Sequence, residues 1–98
     1  MPGYVAILSV ELHFPEAGSL KGKRKYVLSA KAQLQNRFGA SVAEVDHHAL
    51  WQRCALTAAF VAREAREAEQ LAERAEQWLA AQEWVLSRSD LTLVSPDD

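Results

Sequence analysis

Hydrophobic and polar residues alternate from Tyr4 to Phe14, with Ala6, Leu8, Val10 and Leu12 on one side and Val5, Ile7, Ser9, Glu11 and His13 on the other. A period of two is that of a β-strand. The first half is apolar on both sides, which predicts a central strand, and Pro15 with Gly18 ends it. The pattern then lengthens: Leu20, Val27, Leu34 and Phe38 recur at helical spacing, with Ser19 as N-cap and Gly39 in the place of a C-cap glycine. From Ser41 to His47, Ala43 and Val45 alternate with Glu44 and Asp46, as in a half-exposed strand near a sheet edge. A short turn around His48 to Leu50 leads into a strand from Trp51 to Ala62. It sets Cys54, Leu56, Ala58 and Phe60 against Arg53, Ala55, Thr57, Ala59 and Val61.

The next segment carries the strongest amphipathic signal. Ala65, Ala68, Leu71, Ala72, Ala75, Trp78 and Leu79 form an unbroken stripe, whose small residues favour close packing. A last strand is expected within Trp84 to Val94, followed by Pro96 and a frayed acidic end. The order βαββαβ predicts an α+β, ferredoxin-like fold: a four-stranded antiparallel sheet with two helices on one face, since right-handed crossovers place both there. The other face is left open. It would present Val5, Ile7, Ala55, Ala59 and Val61 beside Ser9, Glu11, His13, Arg53 and Thr57, a surface of the kind used for self-association or binding.

With 98 residues the chain has room for one domain spanning 1–98. Its hydrophobic fraction of 49% and charged fraction of 24% are ordinary for a folded protein, which argues against disorder. No apolar run approaches the roughly 18 residues of a membrane span. The single cysteine, Cys54, excludes an intrachain disulfide, so a cytoplasmic protein is expected, with no membrane partner. The net charge of −2 is unevenly laid out. Ala17 to Ala40 carries Lys21, Lys23, Arg24, Lys25, Lys31 and Arg37 with no acid, whereas Glu64, Glu67, Glu69, Glu73 and Glu76 dominate the second helix.

Several stretches resemble a known family. Ser41-Val42-Ala43-Glu44-Val45-Asp46-His47 followed by Leu50-Trp51-Gln52-Arg53, the opening Val10-Glu11-Leu12-His13-Phe14-Pro15, and Ser19-Leu20-Lys21 with Lys23-Arg24 are similar to the YlxP-like family of small uncharacterised bacterial proteins. The resemblance runs from Val5 to Val94 and implies a ferredoxin-like fold. The family's activity is not established, and its genes commonly lie among those for translation initiation and ribosome maturation. The resemblance thus implies a ribosome-linked role by association. Gly22 stands where the family more often has a charged residue, which would let the first helix start later here.

The chemistry-bearing groups divide sharply. Gly18-Ser19-Leu20-Lys21-Gly22-Lys23-Arg24 lies between a strand and a helix like a phosphate-binding loop, but three residues separate its glycines where four are needed, and Arg24 replaces the magnesium-binding hydroxyl. What survives is an anion or RNA site at Lys21, Lys23, Arg24, Lys25 and Lys31, set against the simpler reading of a solvated basic face. The open sheet lacks the aromatics that stack RNA bases on other such sheets, so contact through the helix is favoured. His13, His47, His48, Cys54, Asp46 and Glu11 meet no recurrent metal spacing, and neither metal nor cofactor is expected.

Glu11 and His13 share a strand face and could meet Arg53 and one of Glu44, Asp46 or His47 across the sheet. Such a cluster is capable of acid and base work, but no nucleophile with a positioned base accompanies it, so an interface-orienting ion-pair network is favoured over an enzyme. Trp78 falls on the apolar stripe of the second helix and is expected in the core. Trp51, next to Gln52 and Arg53 and near Asp46 and His47, is the candidate anchor of a partner surface.

Two functions follow. The first is a non-enzymatic module that binds ribosomal RNA or a ribosome-associated protein through its basic helix, with no DNA partner expected. The alternative is a homo-oligomer that pairs through the open sheet face and holds a small ligand at the interface.

Overall fold

The computed structural model describes residues 3–96. Its elements are β1 (Tyr4–His13), α1 (Leu20–Phe38), β2 (Ser41–Asp46), β3 (Arg53–Ala62), α2 (Ala65–Ala80) and β4 (Val85–Val94). They form the expected α+β ferredoxin-like βαββαβ arrangement, an antiparallel sheet in the order β2-β3-β1-β4. β1 is central, as its two-sided apolar first half requires, and β2 is an edge. The expected fraying of the acidic end concerns Asp97 and Asp98, which lie outside the described residues. No helix among the described residues is long and apolar enough to cross a membrane.

The core lies between the sheet and the helices. Ala6, Leu8, Val10 and Leu12 of β1 and Cys54, Leu56, Ala58 and Phe60 of β3 are buried against Val27, Ala30 and Leu34 of α1 and Ala68, Ala72, Ala75 and Leu79 of α2. The alanine seam of α2 lets its backbone approach the sheet closely, so each small side chain is fully enclosed. Aromatic rings seal one end. Phe14 stacks on Tyr26 at 5.3 Å, Trp84 meets both rings edge-on, and Trp78 continues the cluster to Phe38. Trp78 is half-buried rather than enclosed, and Arg37 sits over its ring and that of Phe38.

The extent of α1, Leu20–Phe38, is that read from the periodicity, while three other boundaries or faces differ from the sequence reading. α1 starts at Leu20 despite Gly22, because the Ser19 hydroxyl accepts the Gly22 N–H at 3.0 Å and caps the first turn. Leu20 itself is 45% exposed, and the buried stripe of α1 is instead Lys23, Val27, Ala30 and Leu34. At the other end Gly39 takes a left-handed φ of 67° and its N–H reaches the Gln35 carbonyl, the C-cap read from the sequence.

β3 begins at Arg53, leaving Trp51 and Gln52 in the preceding loop. β2 turns the opposite way from its hydrophobicity: Val42 and Glu44 pair with the core-facing Ala58 and Leu56, while Ala43 pairs with Thr57 on the open face. A bulge between Glu44 and Asp46 then brings Asp46 opposite Ala55 and leaves Val45 54% exposed. This face sets Val42 against the core and Glu44 opposite a buried cation.

Candidate functional site

The basic helix separates into two sets of side chains. Lys21, Arg24 and Lys25 are exposed and Lys31 is half-buried, grouped around an exposed Leu28 on the outward side of α1. Lys23 belongs to the other set. It is 3% exposed, its ammonium lies 3.2 Å from Glu44 Oε2, and it donates to the His47 carbonyl at 2.6 Å. Lys23 is therefore withdrawn from the exposed basic group in which its sequence neighbours remain. The charge of Glu44 Oε2 is met by that ammonium, although no directional hydrogen bond reaches this buried oxygen.

Above the sheet, Glu11 is the hub of a second cluster. Its Oε1 is 2.7 Å from His47 Nε2 and accepts from Arg53 at 3.0 Å. The His47 contact is the main reason that the Glu11 carboxyl is held below its ordinary value of 4.5, with Arg53 adding to it against the opposing effect of desolvation. His47 joins the two clusters. Its backbone has a left-handed φ of 64°, its N–H donates to Asp46 Oδ1 at 2.7 Å, its carbonyl is gripped from below by Lys23, and its ring is held from above by Glu11. Of the acids that could have met Glu11's cluster, Glu44 lies beneath the sheet with Lys23, and Asp46 serves the His47 backbone.

The loop from His47 to Gln52 is pinned at both ends. Leu50 N–H donates to the His47 carbonyl, Phe14 N–H to the Gln52 carbonyl at 2.8 Å, and the Gln52 amide reaches the Pro15 and Ala17 carbonyls at 3.4 and 3.3 Å. Between these anchors Leu50 and Trp51 are 44% and 55% exposed. They line a hollow of about 340 Å³ with His13, Ala49, Gln52 and Arg53. His13 thus stands with Trp51 rather than in hydrogen-bond contact with Glu11. A neighbouring hollow of about 210 Å³ is lined by Leu20, Lys23, Arg24, Val27, Glu44 and His48, so the N-terminal end of α1 and the loop form adjacent surface.

The open face holds a shallow depression of about 410 Å³ over β1, β2, β3 and β4. Glu11, Asp46 and His47 contribute to it, and so do Arg88 and Asp90 of β4. Among the described residues, no group of three or more His, Cys, Asp or Glu is placed to hold a metal ion. Cys54 is fully buried, and that burial pushes its thiol up to about 12, with the charge of Glu44 acting in the same direction. At neutral pH it is an inert core residue.

The model of a family described as a protein of unknown function, DUF503, matches residues 5–90. The chain belongs to that family. No curated protein matches this DUF503 chain. Among solved structures, a de novo designed protein, Foldit4, is similar at 10% identity and a TM-score of 0.46, covering 94% of this chain and 96% of the other.

Three features of the candidate site escaped the sequence reading. The burial of Lys23 had a visible signal, since it shares the i, i+4, i+7, i+11 spacing of Val27, Ala30 and Leu34. Gln52 had none, because its role depends on the path of the chain after Phe14. Arg88 and Asp90 required the register of β4, which shifts at a bulge between Glu11 and Leu12 and cannot be counted from alternation alone.

Proposed function

We propose that this protein is a non-enzymatic binding module that engages RNA through the outward face of α1. The observation that carries the reading is the composition of that face: Lys21, Arg24, Lys25 and Lys31 around Leu28, on a helix without a single acid. Cations gathered on one helix face neutralise phosphates and gain affinity from counterion release. The acidic residues of α2 confine contact to the α1 side. The YlxP-like resemblance and its translation-linked setting point to ribosomal RNA, or a protein bound to it, as the partner in the cytoplasm.

The test is co-sedimentation of the full chain with ribosomal subunits at low and moderate salt. Lys23 is left intact, because its removal would unfold the question into one of stability. A Lys21→Ala, Arg24→Ala, Lys25→Ala variant is expected to keep its stability within about 0.5 kcal/mol and to lose the salt-sensitive binding shown by the wild type. Binding that survives in this variant, or wild-type binding that is indifferent to salt, overturns the reading.

A second reading is favoured by the other end of the molecule. Val61 and Val94 flank Val5 in one cross-strand row of the open face and are 69% and 41% exposed, with Ile7 and Ala59 in the next row. This apolar end supports pairing of two copies face to face, with the 410 Å³ depression available to a small ligand at the interface. Sedimentation equilibrium reads it directly: a wild-type dimer converted to monomer by Ala59→Glu supports it, and a monomeric wild type removes it.

A further inference from the structure

We propose that the loop between β2 and β3 stacks an unpaired base of single-stranded RNA on Trp51, while Arg53 and the N-terminal cations of α1 meet the phosphates beside it. This deepens the RNA reading and rests on it. The open sheet of this protein offers Ala55, Thr57 and Ala59 where other sheets of this shape carry stacking aromatics. The aromatic platform is displaced to the loop.

Trp51 differs from the other two tryptophans in its surroundings. Trp78 and Trp84 are engaged in the ring cluster that closes the core, whereas Trp51 is 55% exposed and has no ring contact among the described residues. Its backbone is nevertheless held. His47 is fixed in a left-handed conformation by Lys23 from below and by Glu11 from above, and Gln52 is tied to Phe14, Pro15 and Ala17. An exposed side chain on an immobilised backbone loses little entropy on binding, which is what a recognition residue needs. Holding a non-glycine residue at positive φ by a buried ammonium is costly, and such strain concentrates at functional loops.

The charge around Trp51 selects the occupant. Arg53, half exposed, and His13 line the same 340 Å³ hollow, and the adjoining hollow contributes Arg24 and His48. Of the nearby acids, Glu11 is engaged by His47 and Arg53 and Glu44 by Lys23, while the exposed Asp46 accepts from the His47 N–H. An exposed indole with Arg53 beside it and Arg24 in the adjoining hollow suits a base attached to phosphates, because stacking and phosphate contact then act together. An apolar pocket on a protein would match Leu50 and Trp51 but not the cations around them.

The full chain is titrated with a short oligouridine and with an RNA duplex of equal length, following tryptophan fluorescence and anisotropy across a salt series. The wild type is expected to prefer the single strand, with quenching of the exposed tryptophan. Trp51→Ala should lose about tenfold in single-strand affinity, the scale of one stacked base, with duplex affinity and the salt slope unchanged. Trp51→Phe should recover part of the loss. Arg24→Ala with Lys25→Ala should instead flatten the salt slope for both RNAs.

Single-strand affinity and quenching that persist in Trp51→Ala overturn the inference while leaving the basic-helix reading intact; the loop would then be a protein contact. Absence of binding to either RNA at low salt overturns both.

Discussion

The two helices cover the same face of the sheet with opposite kinds of surface. α2 meets it with a continuous seam of Ala68, Ala72, Ala75 and Leu79, all fully buried, and turns Glu67 and Glu73 outward, while Glu76 accepts from the Ser89 hydroxyl of β4. α1 has a narrower apolar stripe of Val27, Ala30 and Leu34, and at its N-terminal end the stripe is completed by Lys23. An alanine in that position would have continued the packing. A lysine there instead reaches past the edge of the sheet to Glu44 and to the His47 carbonyl, and so ties α1 to the loop that bears Trp51. The half of the molecule that packs ideally is built for stability, and the half that departs from the rule positions a surface.

The comparison breaks most readily at Lys23. Lys23→Ala leaves Glu44 buried and uncompensated and should destabilise the fold by about 3–5 kcal/mol in chemical denaturation. Pairing Lys23→Met with Glu44→Leu should restore most of that stability, because apolar groups can replace a buried ion pair, while the loop loses its grip on His47. If Lys23→Ala costs less than about 1 kcal/mol, the pair is merely superficial and the contrast between the helices fails.

On the α2 side, Leu79→Ala should cost about 3 kcal/mol, the usual penalty for a cavity in a closed core, without altering RNA or partner binding. A binding defect in this variant at temperatures where it is folded would show that α2 does more than pack. At the start of α1, Ser19→Ala removes the cap on Gly22 and should cost about 1 kcal/mol, read by thermal denaturation.

The smallest effect concerns pH. Glu11 titrates below 4.5 in the folded protein because His47 and Arg53 favour its charged form. The unfolded chain therefore takes up this proton first as the pH falls. The stabilisation is complete above 4.5 and is lost as the pH drops through the lowered folded value. Glu11→Gln should flatten that part of the stability profile, lowering stability slightly above pH 4.5 and leaving it nearly unchanged at low pH. A profile identical to that of the wild type would mean that the Glu11 cluster contributes nothing to the linkage.

Much of the architecture was legible in the chain because its signals are local. The alternation of β1 and β3, the stripe of α2, and the caps Ser19 and Gly39 each follow from neighbours within one turn or one strand. The same holds for the exposed basic face of α1, where Lys21, Arg24 and Lys25 need only helical geometry to point together. The candidate site was legible in its membership but not in its wiring. Glu11, His47 and Arg53 do meet, whereas Glu44 and Lys23 face the other side of the sheet.

What only the tertiary structure decided is which way β2 turns and what lies under it. Judged by hydrophobicity, Ala43 and Val45 belong inside and Glu44 outside. The packed fold instead turns Val42 onto the core and Glu44 toward the buried Lys23, whose enclosed ammonium requires a carboxylate opposite it. The sequence alone determined the elements, the central position of β1 and the uneven charge of the two helices, because short-range periodicity encodes them. The register of β4, the inversion of β2 and the clamp on His47 arise from partners in different elements, such as Val5 with Val94, Lys23 with Glu44 and Lys23 with the His47 carbonyl, and alternation within a segment carries no record of such partners.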